Sequence, residues 1–264
     1  MRLFEKITSA FRTKNSNDAN ADERPQQEVR IQHRYSLKHP SLGTLNAGKA
    51  SFAIDNISYS GVAISFKELN ALSAVGLATP NQQIFCSLTL LGRNAPATAQ
   101  LVFAKETRAG YFFIHATGDT LLFLRDFLEF MRRGSDMMAI DTTLLKERFR
   151  EQNWKVFRGT ESDDLKLRMS SDEKTIAESL LTFLNAGEYC EVCTLGTAFT
   201  TRKTAQKRGS GQGSTAATTQ SNEVDASVLR AGLSMLIGQQ DRTNDESVAL
   251  LIQEYWNRLQ QCGA

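Results

Sequence analysis

Two arginines four residues apart, Arg30 and Arg34, are the side chains in this sequence best suited to hold an anion. They open and close the segment RIQHR, which follows a polar stretch over residues 15–27. A guanidinium binds phosphate oxygens through two parallel hydrogen bonds, and its plane can also stack on a base or bond to a guanine edge. The pair therefore predicts that both side chains converge on one phosphate-bearing ligand.

A second polar motif, NISYSG at residues 56–61, lies between two segments with the composition of β-strands. Asn56 and Ser58 are expected to turn their side chains toward a polar ligand. Gly61 is expected to adopt a backbone conformation that a side chain would forbid. The motif therefore predicts a turn between two strands whose polar side chains face a ligand.

In this order and spacing, the two motifs resemble the signature of the PilZ family, bacterial receptors for cyclic di-GMP, in which RxxxR is followed by (D/N)xSxxG. Both motifs are intact in this sequence. The resemblance implies that Arg30 and Arg34 bind the phosphate and guanine groups of cyclic di-GMP. It also implies that the wall of the site on the barrel consists of Asn56, Ser58 and Gly61.

The elements around these motifs predict the first part of the fold. Residues 1–14 have the apolar stripe of an amphipathic helix, and residues 15–27 are predicted to be a linker. Residues 28–134 hold six strand-like segments and then an amphipathic helix over residues 119–133, which fit a PilZ-like barrel with a closing helix. Asp119 is predicted to cap this helix, and its apolar stripe consists of Leu122, Phe123, Phe127 and Phe130. The strand segments are RIQHRYSLKH, ASFAIDNIS, GVAISF, QIFCSLTLL, TAQLVFAKE and GYFFIHA.

The second half of the chain, residues 140–264, is predicted to be a mixed α/β C-terminal domain. Its pattern predicts a helix from Thr142, two short strands, a helix over 170–187 with a capping box at its start, and a strand in EYCEVCTLGTAFTTR. Residues 204–223 are predicted to be a mobile loop, followed by helices near 225–238 and 245–261. The expected fold class is α+β: a six-stranded antiparallel β-barrel, its closing helix and this domain.

Bulk composition excludes several classes of function. With 41% apolar residues, 23% charged residues and a net charge of +2, the chain has the composition of a globular protein and not of a nucleic-acid-binding polycation. No uninterrupted apolar run of about 18 residues predicts a transmembrane helix. The first residues also lack the apolar core of an export signal, so we expect a cytoplasmic protein.

The four cysteines give little support to a metal or redox centre. Cys190 and Cys193 form a CxxC pair, but all three histidines lie in the first half of the chain and the pair falls in a strand-like run. We therefore expect ordinary buried thiols and no metal. The second half holds no histidine and no recognised catalytic motif, which disfavours an enzyme.

The sequence thus predicts a cyclic di-GMP-binding receptor or adaptor, with no chemistry of its own, that changes conformation when its ligand binds. The C-terminal domain is expected to pass that change to a protein partner. Two alternatives remain open at this point: a constitutive adaptor whose barrel binds no nucleotide, and a regulated enzyme whose active site lies within residues 140–264.

Overall fold

The computed structural model describes residues 33–67, 72, 79, 82–160, 162–205, 218–219 and 224–263. The predicted N-terminal helix, the linker, Arg30 and most of the predicted loop 204–223 lie outside these residues. Residues 32–264 form one compact unit, in which two antiparallel sheets are joined by packed helices. In the part of the chain described, no helix is long and apolar enough to cross a membrane.

The first sheet closes into a barrel. It is formed by β1 (Tyr35–Ser36), β2 (Gly43–Ala47), β3 (Ala50–Ser58), β4 (Gly61–Ser65), β5 (Gln83–Leu90), β6 (Arg93–Lys105) and β7 (Arg108–Ala116). The strand order is β1-β3-β2-β5-β6-β7-β4, and a further β3–β4 pairing joins the ends, so that β2 to β7 form a closed antiparallel circuit. The predicted six-stranded barrel is confirmed.

The first strand of that circuit is not the predicted one. Of the predicted segment RIQHRYSLKH, the described part contributes only the two residues of β1, which pair with the end of β3. A 3₁₀ turn at Pro40–Leu42 follows, and the unpredicted strand β2 then occupies the barrel position. In β2 the alternate residues Gly43, Leu45 and Ala47 are buried, which is the pattern of a strand with one face on the core.

The predicted closing helix is present as α1 (Gly118–Asp136). Thr117, not Asp119, is its N-cap, because the Thr117 hydroxyl accepts a hydrogen bond from the Thr120 amide. The Thr120 hydroxyl in turn donates to the Pro96 carbonyl of β6 at 2.7 Å and fixes the helix to the barrel. Leu122, predicted on the buried stripe, is 51% exposed, whereas Phe127 is buried as predicted.

The second sheet is an antiparallel meander whose strands lie side by side in chain order. Its strands are β8 (Met138–Ala139), β9 (Lys155–Arg158), β10 (Asp164–Met169), β11 (Ile176–Asn185), β12 (Glu188–Leu195), β13 (Ala198–Ala205) and β14 (Thr218–Thr219). Three helices accompany it: α2 (Glu147–Glu151), α3 (Ala226–Thr243) and α4 (Glu246–Gln261). The two predicted C-terminal helices are thus confirmed as α3 and α4.

The helix predicted over residues 170–187 is wrong, because residues 176–185 form β11 between β10 and β12. The helix predicted from Thr142 is reduced to a 3₁₀ turn, Thr142–Leu144, and the short α2. The single strand predicted in EYCEVCTLGTAFTTR is the β12–β13 hairpin. The loop predicted over 204–223 also starts too early, since β13 extends to Ala205 and pairs with β14.

The two sheets share one apolar core, continuous across the predicted boundary near residue 140. At its centre α1 crosses α3 so closely that a Cβ atom at Gly134 would collide with the Met235 carbonyl. A Cβ at Gly238 would likewise collide with the Met131 carbonyl. We call this crossing, together with the adjacent Arg133–Asp163 ion pair, the helix seam.

Candidate functional site

The NISYSG motif forms the hairpin between β3 and β4. Asn56 and Ser58 lie at the end of β3, and Gly61 is the first residue of β4 and the pairing partner of Ser58. Two residues, Tyr59 and Ser60, make the turn. The chain therefore reverses inside the motif, which gathers its polar atoms at one end of the barrel.

Gly61 is required for close approach and not, as expected, for an unusual backbone conformation. Its φ angle lies outside the left-handed region, unlike those of Gly48 and Gly92. A Cβ atom at Gly61 would instead collide with the Tyr111 carbonyl of β7. Only glycine lets β4 approach β7 this closely where the barrel closes.

Ser58 is bonded within the hairpin itself. The residue is 1% exposed, its hydroxyl donates to the Gly61 carbonyl at 3.3 Å, and it lies 3.3 Å from the Ser60 hydroxyl. These contacts hold the turn in shape. Ser58 therefore stabilises the hairpin of the candidate site, and its hydroxyl is directed into the turn.

Asn56 carries the unsatisfied polar atom of the motif. A β-bulge at Asp55 precedes it, and its backbone pairs with Ser36 of β1 and Ala63 of β4. Its side-chain oxygen Oδ1 is buried and accepts no hydrogen bond from any described residue. A buried acceptor without a donor costs about 1–3 kcal/mol, so this oxygen needs a donor that the described chain does not supply.

The register of β1 brings Arg34 to this hairpin. Tyr35 pairs with Ile57 and Ser36 pairs with Asn56, so Arg34 directly precedes the ladder at the end of β3 that leads into Ser58. The Arg34 side chain is exposed, and no described carboxylate forms an ion pair with it. The structure thus brings together four of the five predicted site residues; the fifth, Arg30, lies outside the described residues.

Two tyrosines that sequence analysis did not select flank the site. Tyr59 is 43% exposed at the tip of the hairpin. Partial burial raises the pKa of Tyr59, and the negative charge of Glu129 raises it further. Tyr35 is buried between the hairpin and α1. Burial raises the pKa of Tyr35, against a hydrogen bond with Ser135 that lowers it. Tyr59 lies inside the motif, so its position there was the available signal.

The segment around β1 also contacts the end of α3. His33 Nε2 lies 3.8 Å from Asp241 Oδ2, and the His33 ring packs edge-on against Tyr35 at 4.4 Å. Lys38 Nζ donates to the Gln240 carbonyl at 3.2 Å and to Asn244 Oδ1 at 2.9 Å. His33 and Lys38, on either side of β1, therefore connect this part of the chain directly to α3.

The cysteines of the CxxC pair lie on opposite faces of β12. Cys190 is fully buried, whereas Cys193 is partly exposed, as the odd spacing on a strand requires. Burial raises the pKa of Cys190 to about 11 and also raises that of Cys193. Two thiols on opposite faces cannot bind the same metal ion, and no group of three or more candidate metal ligands occurs among the described residues.

No protein-family model matches the chain, and no curated protein matches it either. Two similar solved structures are Lpg0364, an uncharacterized Legionella protein, and PlzA of Borreliella burgdorferi in complex with c-di-GMP. Lpg0364 is 14% identical with a TM-score of 0.29, over 38% of this chain and 94% of its own. PlzA is 13% identical with a TM-score of 0.28, over 78% of this chain and 87% of its own. TM-scores this low do not establish a shared fold. The fold and the candidate site are therefore defined by the contacts within this chain.

Proposed function

We propose that the chain is a cyclic di-GMP receptor whose site lies between the arginine segment and the β3–β4 hairpin of a PilZ-like barrel. The observation that supports this most directly is the β1–β3 register, in which Tyr35 pairs with Ile57 and Ser36 pairs with Asn56, so that Arg34 immediately precedes a strand paired with the second motif. Arg34 and Asn56 are separated by more than twenty residues in the sequence. Their approach through the β1–β3 pairing is what a shared ligand requires.

The chemistry of the edge fits a guanine dinucleotide. Cyclic di-GMP carries two negative charges, and Arg34 is exposed and without an ion-pair partner among the described residues, so it can bind a phosphate bidentately. Asn56 Oδ1 needs a donor, and the amino group on a guanine edge is one. Arg30 would be the second guanidinium of the site.

The contacts of His33 and Lys38 indicate how ligand binding at the motifs would affect α3 in the second half of the chain. His33 lies between the two arginines and next to Asp241, while Lys38 holds the last turn of α3. Drawing Arg30 and Arg34 onto a ligand would therefore move residues that contact α3. In this proposal the protein acts in the cytoplasm and the second half presents the change to a protein partner.

The alternatives rest on narrower observations. Ser58 is satisfied within the hairpin, which is the contact that favours a constitutive adaptor with a barrel that binds no nucleotide. For a regulated enzyme, the second half offers a shallow cleft on the outer face of its sheet. The charged groups in that cleft pair with one another, Lys166 with Asp164 at 2.7 Å and Arg158 with Asp164 at 3.5 Å.

Calorimetric titration with cyclic di-GMP tests the proposal. We expect a dissociation constant in the submicromolar to low micromolar range, corresponding to about −8 kcal/mol or better. GTP and cyclic GMP are the controls and should bind at least about tenfold more weakly, because neither can bridge both motifs. A protein that takes up no cyclic di-GMP at tens of micromolar ligand would be a constitutive adaptor instead.

Hydrogen exchange distinguishes ligand binding at the motifs from a conformational change transmitted to α3. With ligand, exchange should slow most in residues 25–36 and less in residues 55–62, where the hairpin is already bonded. If the segment acts on α3, protection should also change over residues 238–244. A change confined to the motifs would leave the receptor intact but assign its output to the barrel surface.

A further inference from the structure

A pair of arginines at the junction of the barrel and the second half belongs to neither motif. Arg93 begins β6, and Arg230 lies in the second turn of α3. Arg230 is about 16 Å along that helix from Asp241, which contacts the arginine segment. We call these two residues and Phe123 of α1 the Arg93–Arg230 cluster.

Two contacts fix the cluster at the β5–β6 turn. Arg230 Nε donates to the carbonyl of Leu91, which is two residues before Arg93. The Arg93 guanidinium lies 5.0 Å from the centroid of the Phe123 ring, in cation–π geometry. Both side chains are thus fixed beside one turn, and their other N–H groups form no hydrogen bond with a described residue.

The cluster concentrates positive charge that no ion pair with a described residue neutralises. Neither arginine forms an ion pair with a described residue, whereas many other arginines do. Burial lowers the pKa of Arg230 and Arg93 lowers it further, while Asp225 and Cys262 act in the opposite direction. Asp225 is itself occupied by Lys203 at 2.6 Å and by the first amides of α3. Two like charges held together in this way are stabilised by an anion placed between them.

We propose that Arg93 and Arg230 form a second anion site that binds a phosphate group. The Leu91 carbonyl occupies only Nε of Arg230, so the two terminal nitrogens can bond to phosphate oxygens. Phe123 holds the Arg93 guanidinium at the same turn, where it can bond to the remaining oxygens. The phosphate can come from a soluble compound or from a lipid headgroup, and the chemistry of recognition is the same.

Two probes distinguish these sources. Pyrophosphate is titrated into the full chain at low salt, and vesicles of phosphatidylglycerol are compared with vesicles of phosphatidylcholine in a co-sedimentation assay. Whichever of the two probes binds the wild-type protein, Arg93→Ala should weaken that binding at least about tenfold, the loss typical of one charged hydrogen bond. Arg230→Lys, which keeps the charge but loses the fork, should weaken it as well.

Two matched variants serve as controls. Arg125→Ala removes an exposed arginine on α1 that pairs with Asp126, and it should leave binding within about twofold of wild type. Arg34→Ala should lower cyclic di-GMP binding and leave the second site unchanged. Because Arg93 is exposed, the Arg93→Ala protein is expected to fold, and circular dichroism checks this.

Pyrophosphate binding that weakens in Arg93→Ala would support a soluble phosphate ligand. Binding only to phosphatidylglycerol vesicles, lost in the same variant, would support a lipid headgroup. The proposal is overturned if neither probe binds, or if Arg93→Ala and Arg125→Ala bind equally well.

Discussion

At the helix seam, Arg133 is buried and donates its N–H groups to Asp163 and to the Leu184 carbonyl. At the edge of β3, Arg34 is exposed and Asn56 Oδ1 has no donor among the described residues. In both places arginine meets residues distant in sequence. At the seam each charged group already has its partner, whereas at the edge the partners are missing.

This difference separates groups that hold the molecule together from groups available to a ligand. A satisfied buried ion pair fixes one arrangement of its elements, and removing one partner is costly. Unsatisfied polar atoms beside an exposed arginine cost free energy in the free protein and recover it when a ligand binds. We therefore expect substitutions at the seam to change stability and substitutions at the edge to change binding.

The largest effect is expected for Asp163→Ala, which leaves the buried Arg133 charge without its partner. The free energy of unfolding should fall by about 3–5 kcal/mol, measured by urea denaturation. Asp126→Ala removes an ion pair that is more than 60% exposed on the same helix as Arg133, and should change stability by less than about 1 kcal/mol. Equal effects of the two substitutions would show that the buried ion pair at the seam contributes no more to stability than the exposed ion pair.

Gly238→Ala tests the close crossing of α1 and α3. The new methyl group would meet the Met131 carbonyl, which is backbone and cannot rotate away. The helices must separate, at a cost of about 2–3 kcal/mol in the free energy of unfolding. Gly118→Ala, where nothing lies within 4 Å of the new Cβ, should stay within about 0.5 kcal/mol of wild type in the same assay.

Arg34→Ala should weaken ligand binding and leave the stability of the fold almost unchanged. Loss of one guanidinium should weaken cyclic di-GMP binding by about 1.5–3 kcal/mol, measured by calorimetry, with unfolding changed by less than about 0.5 kcal/mol. Arg34→Lys should also bind poorly, because an ammonium lacks the planar fork. Arg202→Ala, an exposed arginine on β13, is the matched control, and normal binding by Arg34→Ala would remove this residue from the site.

The smallest effect concerns Asp225, the N-cap of α3. Burial opposes its ionisation, but hydrogen bonds from Lys203 and Ser227 and from backbone amides lower its pKa to about 2, below the ordinary 3.8. The carboxylate therefore stabilises the fold above about pH 4, and this contribution is lost as the pH falls toward 2.

Asp225→Asn keeps the cap and removes the charge. Wild type should be more stable by less than about 1 kcal/mol at pH 6, because the group is partly exposed, and this difference should disappear near pH 2. Urea denaturation at both pH values measures it. A difference that persists at pH 2 would mean that the lost stability comes from the cap and not from the charge.

Local apolar periodicity predicted the α+β class and the two C-terminal helices. The six-stranded barrel was predicted from strand-like segments together with the resemblance of the two motifs, and its first strand was assigned wrongly, because β2 and not RIQHRYSLKH occupies that position. It failed over residues 170–187 for an identifiable reason. The Ser170 hydroxyl accepts from the Thr175 amide, and Asp172 accepts from the Lys174 amide. The same side chains that cap helices here close a turn, and pairing with β10 and β12 decides that the following residues form a strand.

The site was predictable only in part. The motifs identified the residues, but the sequence did not show that Gly61 is needed for the approach of β4 to β7, because β7 lies fifty residues away. The contacts of the arginine segment with α3 could not be predicted either. They join residues about two hundred positions apart, Lys38 to Gln240 and Asn244, through no local pattern.

The helix seam also has a consequence for synthesis on the ribosome. About 90 residues separate the end of α1 from the start of α3, which takes about 5–20 s to translate. During that interval the barrel can close, but Met131 and Gly134 lack the helix that covers them in the finished protein. The nascent chain must therefore carry an exposed apolar helix face until residues 226–243 emerge, and this is the stage at which a chaperone would be needed.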